Sequence, residues 1–159
     1  MIHRLALVAA VALAACQDTS GTTPLPTDDA TTYATYVQPI LEARCATLDC
    51  HGDADRPLRL YAATGLRAND ALRDRPISAE ELAANLRSLA AIDPPGTAPE
   101  ASLILSKPLA GGYAHEGGDL WLTADEPQVR CVRSWLAGAI DQTACATADA
   151  EPDVILRDP

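Results

Sequence analysis

The chain has 159 residues and a formal net charge of −10, with 22 acidic against 12 basic side chains. That length holds one domain with a modest core, and the acidity argues against nucleic acid and against a basic patch for anionic lipid. With no Phe, two Trp and four Tyr, the core has to be built from Leu, Ile, Val and Ala.

Residues 1–15 read as an export signal. Arg4 supplies one positive charge, and residues 5–13 form an apolar run without charge or Pro. The run falls short of the roughly 20 residues that a bilayer span needs, so it fits a secretory signal better than a transmembrane helix. It closes on Leu13-Ala14-Ala15-Cys16, which resembles the lipobox of bacterial lipoproteins. The resemblance implies cleavage before Cys16, acylation of its thiol and a lipid anchor on the mature chain. Gln17, rather than Asp, follows Cys16. By likeness to enteric lipoproteins this implies the outer membrane, facing the periplasm or the cell surface. The competing reading is an ordinary secretory signal with a bystander Cys16.

Residues 16–30, rich in Thr, Asp, Pro and Ser, read as the lipidated Cys and a flexible tether. Residues 31–145 read as one mainly α domain. Tyr33, Tyr36, Val37, Ile40 and Leu41 recur at helical spacing. Pro39 in their midst predicts a kink, or a restart with Pro in the first turn. Ser78-Ala79-Glu80-Glu81 is a capping box opening a helix with Leu82, Leu86 and Leu89 on one stripe. Asp93-Pro94-Pro95-Gly96 stops it. A short element over 99–106 brings Leu103, Ile104 and Leu105. Thr123-Ala124-Asp125-Glu126 predicts a second capping box, with Pro127 in the first turn and Val129, Val132, Leu136 and Ile140 along one face. Gly138 weakens the end of that helix. No stretch alternates with period two, so no sheet is expected. Residues 146–159, acidic with two Pro, read as a frayed tail in which Val154-Ile155-Leu156 is the apolar part.

Lipidation of Cys16 leaves four of the five Cys. An even number in an exported protein is expected to be oxidised or otherwise used. A disulfide between Cys131 and Cys145 would pin the chain beyond the last helix back against it. The segment Cys45-Ala46-Thr47-Leu48-Asp49-Cys50-His51-Gly52 is the most informative. The c-type haem attachment signature has two residues between its Cys pair and a His directly after it; here there are four. Two readings fit. Cys45 and Cys50 hold a haem covalently with His51 beneath the iron, or they form a disulfide beside an ordinary polar His51. Zinc is less favoured, because Cys131 and Cys145 have no His beside them.

Further residues bear on the choice. Tyr36-Val37-Gln38-Pro39-Ile40-Leu41-Glu42-Ala43-Arg44-Cys45, Cys50-His51-Gly52, Leu58-Arg59-Leu60, Pro99-Glu100-Ala101-Ser102-Leu103-Ile104-Leu105 and Trp135-Leu136-Ala137-Gly138-Ala139 together resemble the planctomycete-type cytochrome c domain, over roughly residues 33–140. The resemblance implies a small helical domain with long loops, related to class I cytochromes c, in which the first and last helices cross beside a covalently held haem c. The four-residue spacing departs from the usual pattern.

The sole Met is Met1, which the signal would carry away, so His/Met ligation of an iron is not open to the mature chain. His51 and His115 are its two His and Lys107 its one Lys. His115 is therefore the leading second axial ligand and Lys107 the next. It sits in Gly111-Gly112-Tyr113-Ala114-His115-Glu116-Gly117-Gly118, resembling a His-Gly-Gly run of related domains that Glu116 interrupts here. Glu116 or Asp119 is a candidate partner for its second ring nitrogen. A surface histidine is the plain alternative. The whole reads as a membrane-anchored electron carrier with an unidentified redox partner protein and not as an enzyme. The alternative is a haem-free, disulfide-stapled surface lipoprotein that binds a partner or serves envelope assembly.

Overall fold

A computed structural model describes residues 30–94 and 96–150. The expected signal, Cys16 and the tether up to residue 29 lie outside these residues, as do residues 151–159. The described chain is helical, with long irregular connections and no strand; one isolated parallel bridge joins Leu109 to Trp121. Among the described residues no helix is long and apolar enough to cross a membrane.

The first helix, α1, covers residues 30–44 and changes character along its length. An opening turn, Ala30–Thr32, passes into a π segment, Tyr33–Val37, and then into regular helix, Gln38–Arg44. Pro39 is the cause. A proline has no N–H for the bond to residue 35, and its ring crowds the carbonyl four residues back. Widening the preceding turn relieves both, with the Gln38 N–H donating to the Tyr33 carbonyl. The helix thus restarts with Pro39 in its first turn.

Helix α2, Ala79–Ile92, opens with the expected capping box: the Ser78 hydroxyl accepts from the Glu81 N–H while the Glu81 carboxylate accepts from the Ser78 N–H. Its buried line is Glu81, Asn85 and Leu89, so Leu82 and Leu86 lie only partly buried beside it. Asp93 ends α2 and then acts a second time. Its carboxylate accepts from the Ser102 hydroxyl, the Leu103 N–H at 2.9 Å and the Ile104 N–H at 3.1 Å. It thereby caps the single turn α3, Leu103–Ser106, which follows a 3₁₀ turn, Pro99–Ala101.

Helix α4, Pro127–Leu136, departs from the sequence reading at both ends. Thr123 makes no side-chain cap; Glu126 is the N-cap residue. The Glu126 carboxylate instead reaches back to the Leu122 and Thr123 N–H groups, which is one half of a capping box. At the other end Gly138, at φ +72°, terminates the helix rather than weakening it. Its N–H donates to the Trp135 carbonyl and that of Ala139 to the Ser134 carbonyl, a Schellman closure that favours Gly.

Past that turn Asp141 caps a further helix, α5, Gln142–Ala150, through the Ala144 N–H at 2.9 Å. Residues 146–150 are therefore helical, and Ala148 is buried in the core. The expected Cys131–Cys145 disulfide is present and joins α4 to α5. Tyr33 of α1 lies against Trp135 of α4, with ring centres 5.5 Å apart. Replacing both Cys131 and Cys145 by Ser should lower unfolding stability by about 3 kcal/mol in the loop-entropy account, measured by denaturant titration. A loss below about 1 kcal/mol would show that packing alone holds α5.

Candidate functional site

An apolar cavity of about 610 Å³ opens between the end of α1, the chain after it, the last turn of α2, α3 and the loop preceding α4. This size is within the range of small-molecule and cofactor sites. Leu41, Leu58, Leu60, Leu89, Ile92 and Ile104 give it apolar walls, and Cys45, Cys50, His51, Lys107 and His115 all line it. The structure thus brings together every residue singled out for haem binding, across 70 positions of sequence (from 45 to 115).

The Cys45–Cys50 segment shows how four intervening residues are accommodated. Cys45 sits at the C-cap of α1 with its N–H on the Leu41 carbonyl. Thr47, Leu48 and Asp49 loop out into solvent. The chain then folds back, with the His51 N–H donating to the Cys45 carbonyl and the Cys50 and Gly52 N–H groups to the Thr47 carbonyl. Gly52 is required here. A β-carbon on it would collide with the backbone oxygens of Ala46 and Thr47. Cys45 and Cys50 are free thiols in this arrangement, so the disulfide reading of this pair is not what the structure adopts. Burial, reinforced by Cys50, pushes the Cys45 thiol up to about 12, and it remains protonated at neutral pH.

His51 and His115 both line the cavity and lie close together. Their ring centres are 6.0 Å apart and their planes differ by 20°. His51 Nδ1–H donates to the Leu58 carbonyl at 2.8 Å, and His115 Nδ1–H donates to the Gly118 carbonyl at 2.9 Å. A carbonyl can only accept, so each bond fixes the proton on Nδ1 and leaves the Nε2 lone pair free. The proposed Glu116 or Asp119 partner for the His115 ring is thus replaced by a backbone oxygen. Glu116 pairs instead with Arg56 at 3.0 Å, joining the two histidine-bearing loops at the cavity rim. Burial chiefly holds His51 below the ordinary imidazole range, with His115, Arg56 and Lys107 adding to it, against the Leu58 carbonyl. Gly117 packs beneath the His115 ring, where a β-carbon would approach Cε1 to 3.0 Å.

No protein family, curated protein or solved structure matches this chain.

Two residues that shape the cavity carry no signal of that role in the sequence. Asp93 ties the Leu89–Ile92 wall to the Leu103–Ile104 wall. Asn85 accepts from the Tyr61 N–H at 2.7 Å and donates to the Tyr61 carbonyl at 2.8 Å and to Gln38 at 3.0 Å. It thus fixes the chain that follows His51 against α1 and α2. Both act through partners more than eight positions away, where no periodic pattern reaches.

Proposed function

We propose that this domain is a c-type electron-transfer module: one haem held covalently by Cys45 and Cys50, with His51 and His115 as axial ligands, on a chain anchored to the cell envelope through lipid on Cys16. The close pair of imidazoles supports this most strongly. With both Nε2 atoms turned to a shared metal, two metal–nitrogen bonds of about 2.0–2.1 Å, plus roughly 1 Å from each Nε2 to its ring centre, would come to roughly 6 Å, comparable with the 6.0 Å between the rings. A metal between them needs its equatorial ligands from a planar macrocycle, and the cavity offers apolar walls for one. Cys45 and Cys50 both line that cavity, and their thiols would secure the edge of the macrocycle.

Bound there, haem supplies a reversible one-electron couple. The protein's part is to hold it dry and rigid. The Leu58 and Gly118 carbonyls keep both imidazoles in the ligating tautomer and increase their basicity. His51 and His115 would both be committed to the metal at rest, which fits electron exchange rather than catalysis. Two imidazoles favour a lower potential than His/Met ligation. A net charge of −10 favours a basic docking partner, with association weakened by salt.

The test is to export residues 16–159, with Cys16→Ser to remove the lipid, in cells that have haem-attachment machinery. After denaturation and acid–organic extraction, the haem should stay with the polypeptide. Cys45→Ser and Cys50→Ser should each leave one thioether, and the double variant should release haem fully. A colourless, folded product whose Cys45 and Cys50 have joined as a disulfide would overturn the proposal and favour the haem-free lipoprotein.

A further inference from the structure

The two histidines are not held alike. His51 follows Cys50 directly, and its loop is fixed by backbone bonds to Cys45 and Thr47 and by the Leu58 carbonyl. His115 sits at the tip of a loop whose base alone is well tied. There the Ala110 N–H donates to the Trp121 carbonyl at 2.8 Å and the Leu120 and Trp121 N–H groups donate to the Pro108 carbonyl. Within residues 114–119, the bonds of His115 and Gly118 are to each other. Among the described residues, the hydrogen bond that ties this tip to another part of the chain is the one from Arg56 to Glu116. Its carboxylate side chain is 90% exposed and its guanidinium side chain 42% exposed. The Tyr113 N–H, which donates to the Ser106 carbonyl, marks the start of the free tip, and Gly118, at positive φ, closes it with a backbone that turns at little cost.

We propose that residues 114–118 form a latch. Release of the Arg56–Glu116 pair lets His115 leave the axial position, and the vacated position takes a small diatomic ligand such as carbon monoxide or nitric oxide. This rests on the haem reading above and adds a ligand-binding function to it. The exchange is a substitution. The bond from the metal to His115 Nε2 breaks with its electron pair returning to the imidazole, and the lone pair of the incoming ligand takes its place. No electron is transferred; the ferrous state that carbon monoxide requires is supplied by added dithionite. The cavity lining includes Leu120, Ile104 and Ala114, apolar side chains that suit an uncharged diatomic.

Stopped-flow mixing of the reduced, haem-loaded domain with carbon monoxide tests this. In the wild type the observed rate should rise and then level off with ligand concentration, because loop opening limits it. Glu116→Gln should raise the plateau about two- to fivefold, the range set by an exposed ion pair. Added salt near 0.5 M should raise the wild-type plateau similarly and leave the variant unmoved, because it screens the pair that the variant lacks. His115→Ala should show no plateau. Amide hydrogen exchange at residues 114–119 should accelerate by a similar factor in Glu116→Gln, with or without haem. A wild type that carries haem but binds no carbon monoxide, or a plateau and exchange rate equal in wild type and Glu116→Gln, overturns the latch and leaves the electron-transfer reading standing. A domain that carries no haem overturns that reading and the latch with it.

Discussion

His115→Ala is expected to convert a low-spin ferric spectrum to a high-spin one, and added imidazole should restore the low-spin form. The expectation follows from the pair geometry. His51 and His115 have nearly parallel rings with 6.0 Å between their centres, and each presents a free Nε2 because a backbone carbonyl holds its Nδ1 proton. Removing one ring leaves its coordination position open and a gap of imidazole size in the cavity wall, which is why added imidazole should enter. Lys107 lines the same cavity, and its amine is the competing ligand. A His115→Ala spectrum that stays low-spin would sink the assignment of His115. If the further change Lys107→Ala then made it high-spin, the position would pass to Lys107. His51→Ala should behave differently: it removes the ligand beside the attachment thiols, so the domain should load poorly with haem.

The elements were legible where local chemistry decides them. The Ser78–Glu81 capping box, the Pro39 restart, the stop after Asp93 and the Cys131–Cys145 staple each depend on residues close in sequence, and each is present. The candidate site was legible as a set, because Cys45, Cys50, His51 and His115 are chemically versatile types of which the chain has few. Their mutual geometry was not. The tautomer of His115 is fixed by the Gly118 carbonyl, and a backbone oxygen leaves no trace in a sequence. Glu116 looked like an interruption of a motif and turned out to bridge to Arg56, 60 positions earlier. Residues 146–150 of the expected tail were misjudged for a similar reason. Residues 146–150 have weak amphipathic character and are helical because the Asp141 cap and the disulfide to α4 hold them there. The burial of Asn85, Asp93 and Glu81 was the least visible feature, because each also depends on partners far off in the sequence.

Glu81 carries the largest stability effect expected in the molecule. Its carboxylate is fully buried against the Arg67 guanidinium, itself only 4% exposed. Arg67 donates through Nε at 3.0 Å and Nη2 at 2.8 Å, and the Ala68 and Ser78 N–H groups donate at 2.9 Å each. Arg67 also donates to the Arg75 and Pro76 carbonyls. One ion pair thereby orders the long connection between His51 and α2 that forms a wall of the cavity. Glu81→Ala leaves the guanidinium buried without its partner, and a loss of about 3–5 kcal/mol is expected. The pH dependence gives a sharper check. Arg67 chiefly, with the Ser78 and Ala68 N–H groups, lowers the Glu81 carboxyl from 4.5 to about 2 despite burial. A carboxyl depressed on folding contributes stability that is fully present above its unfolded value and is lost as pH falls through its folded one. The stability gap between wild type and Glu81→Gln should therefore be constant above about pH 5 and shrink steadily between about pH 4.5 and 2. Comparing the two proteins cancels the other carboxyls that titrate in that window. A gap that persists undiminished to pH 2 would mean that the Glu81 amide fails by shape and not by charge.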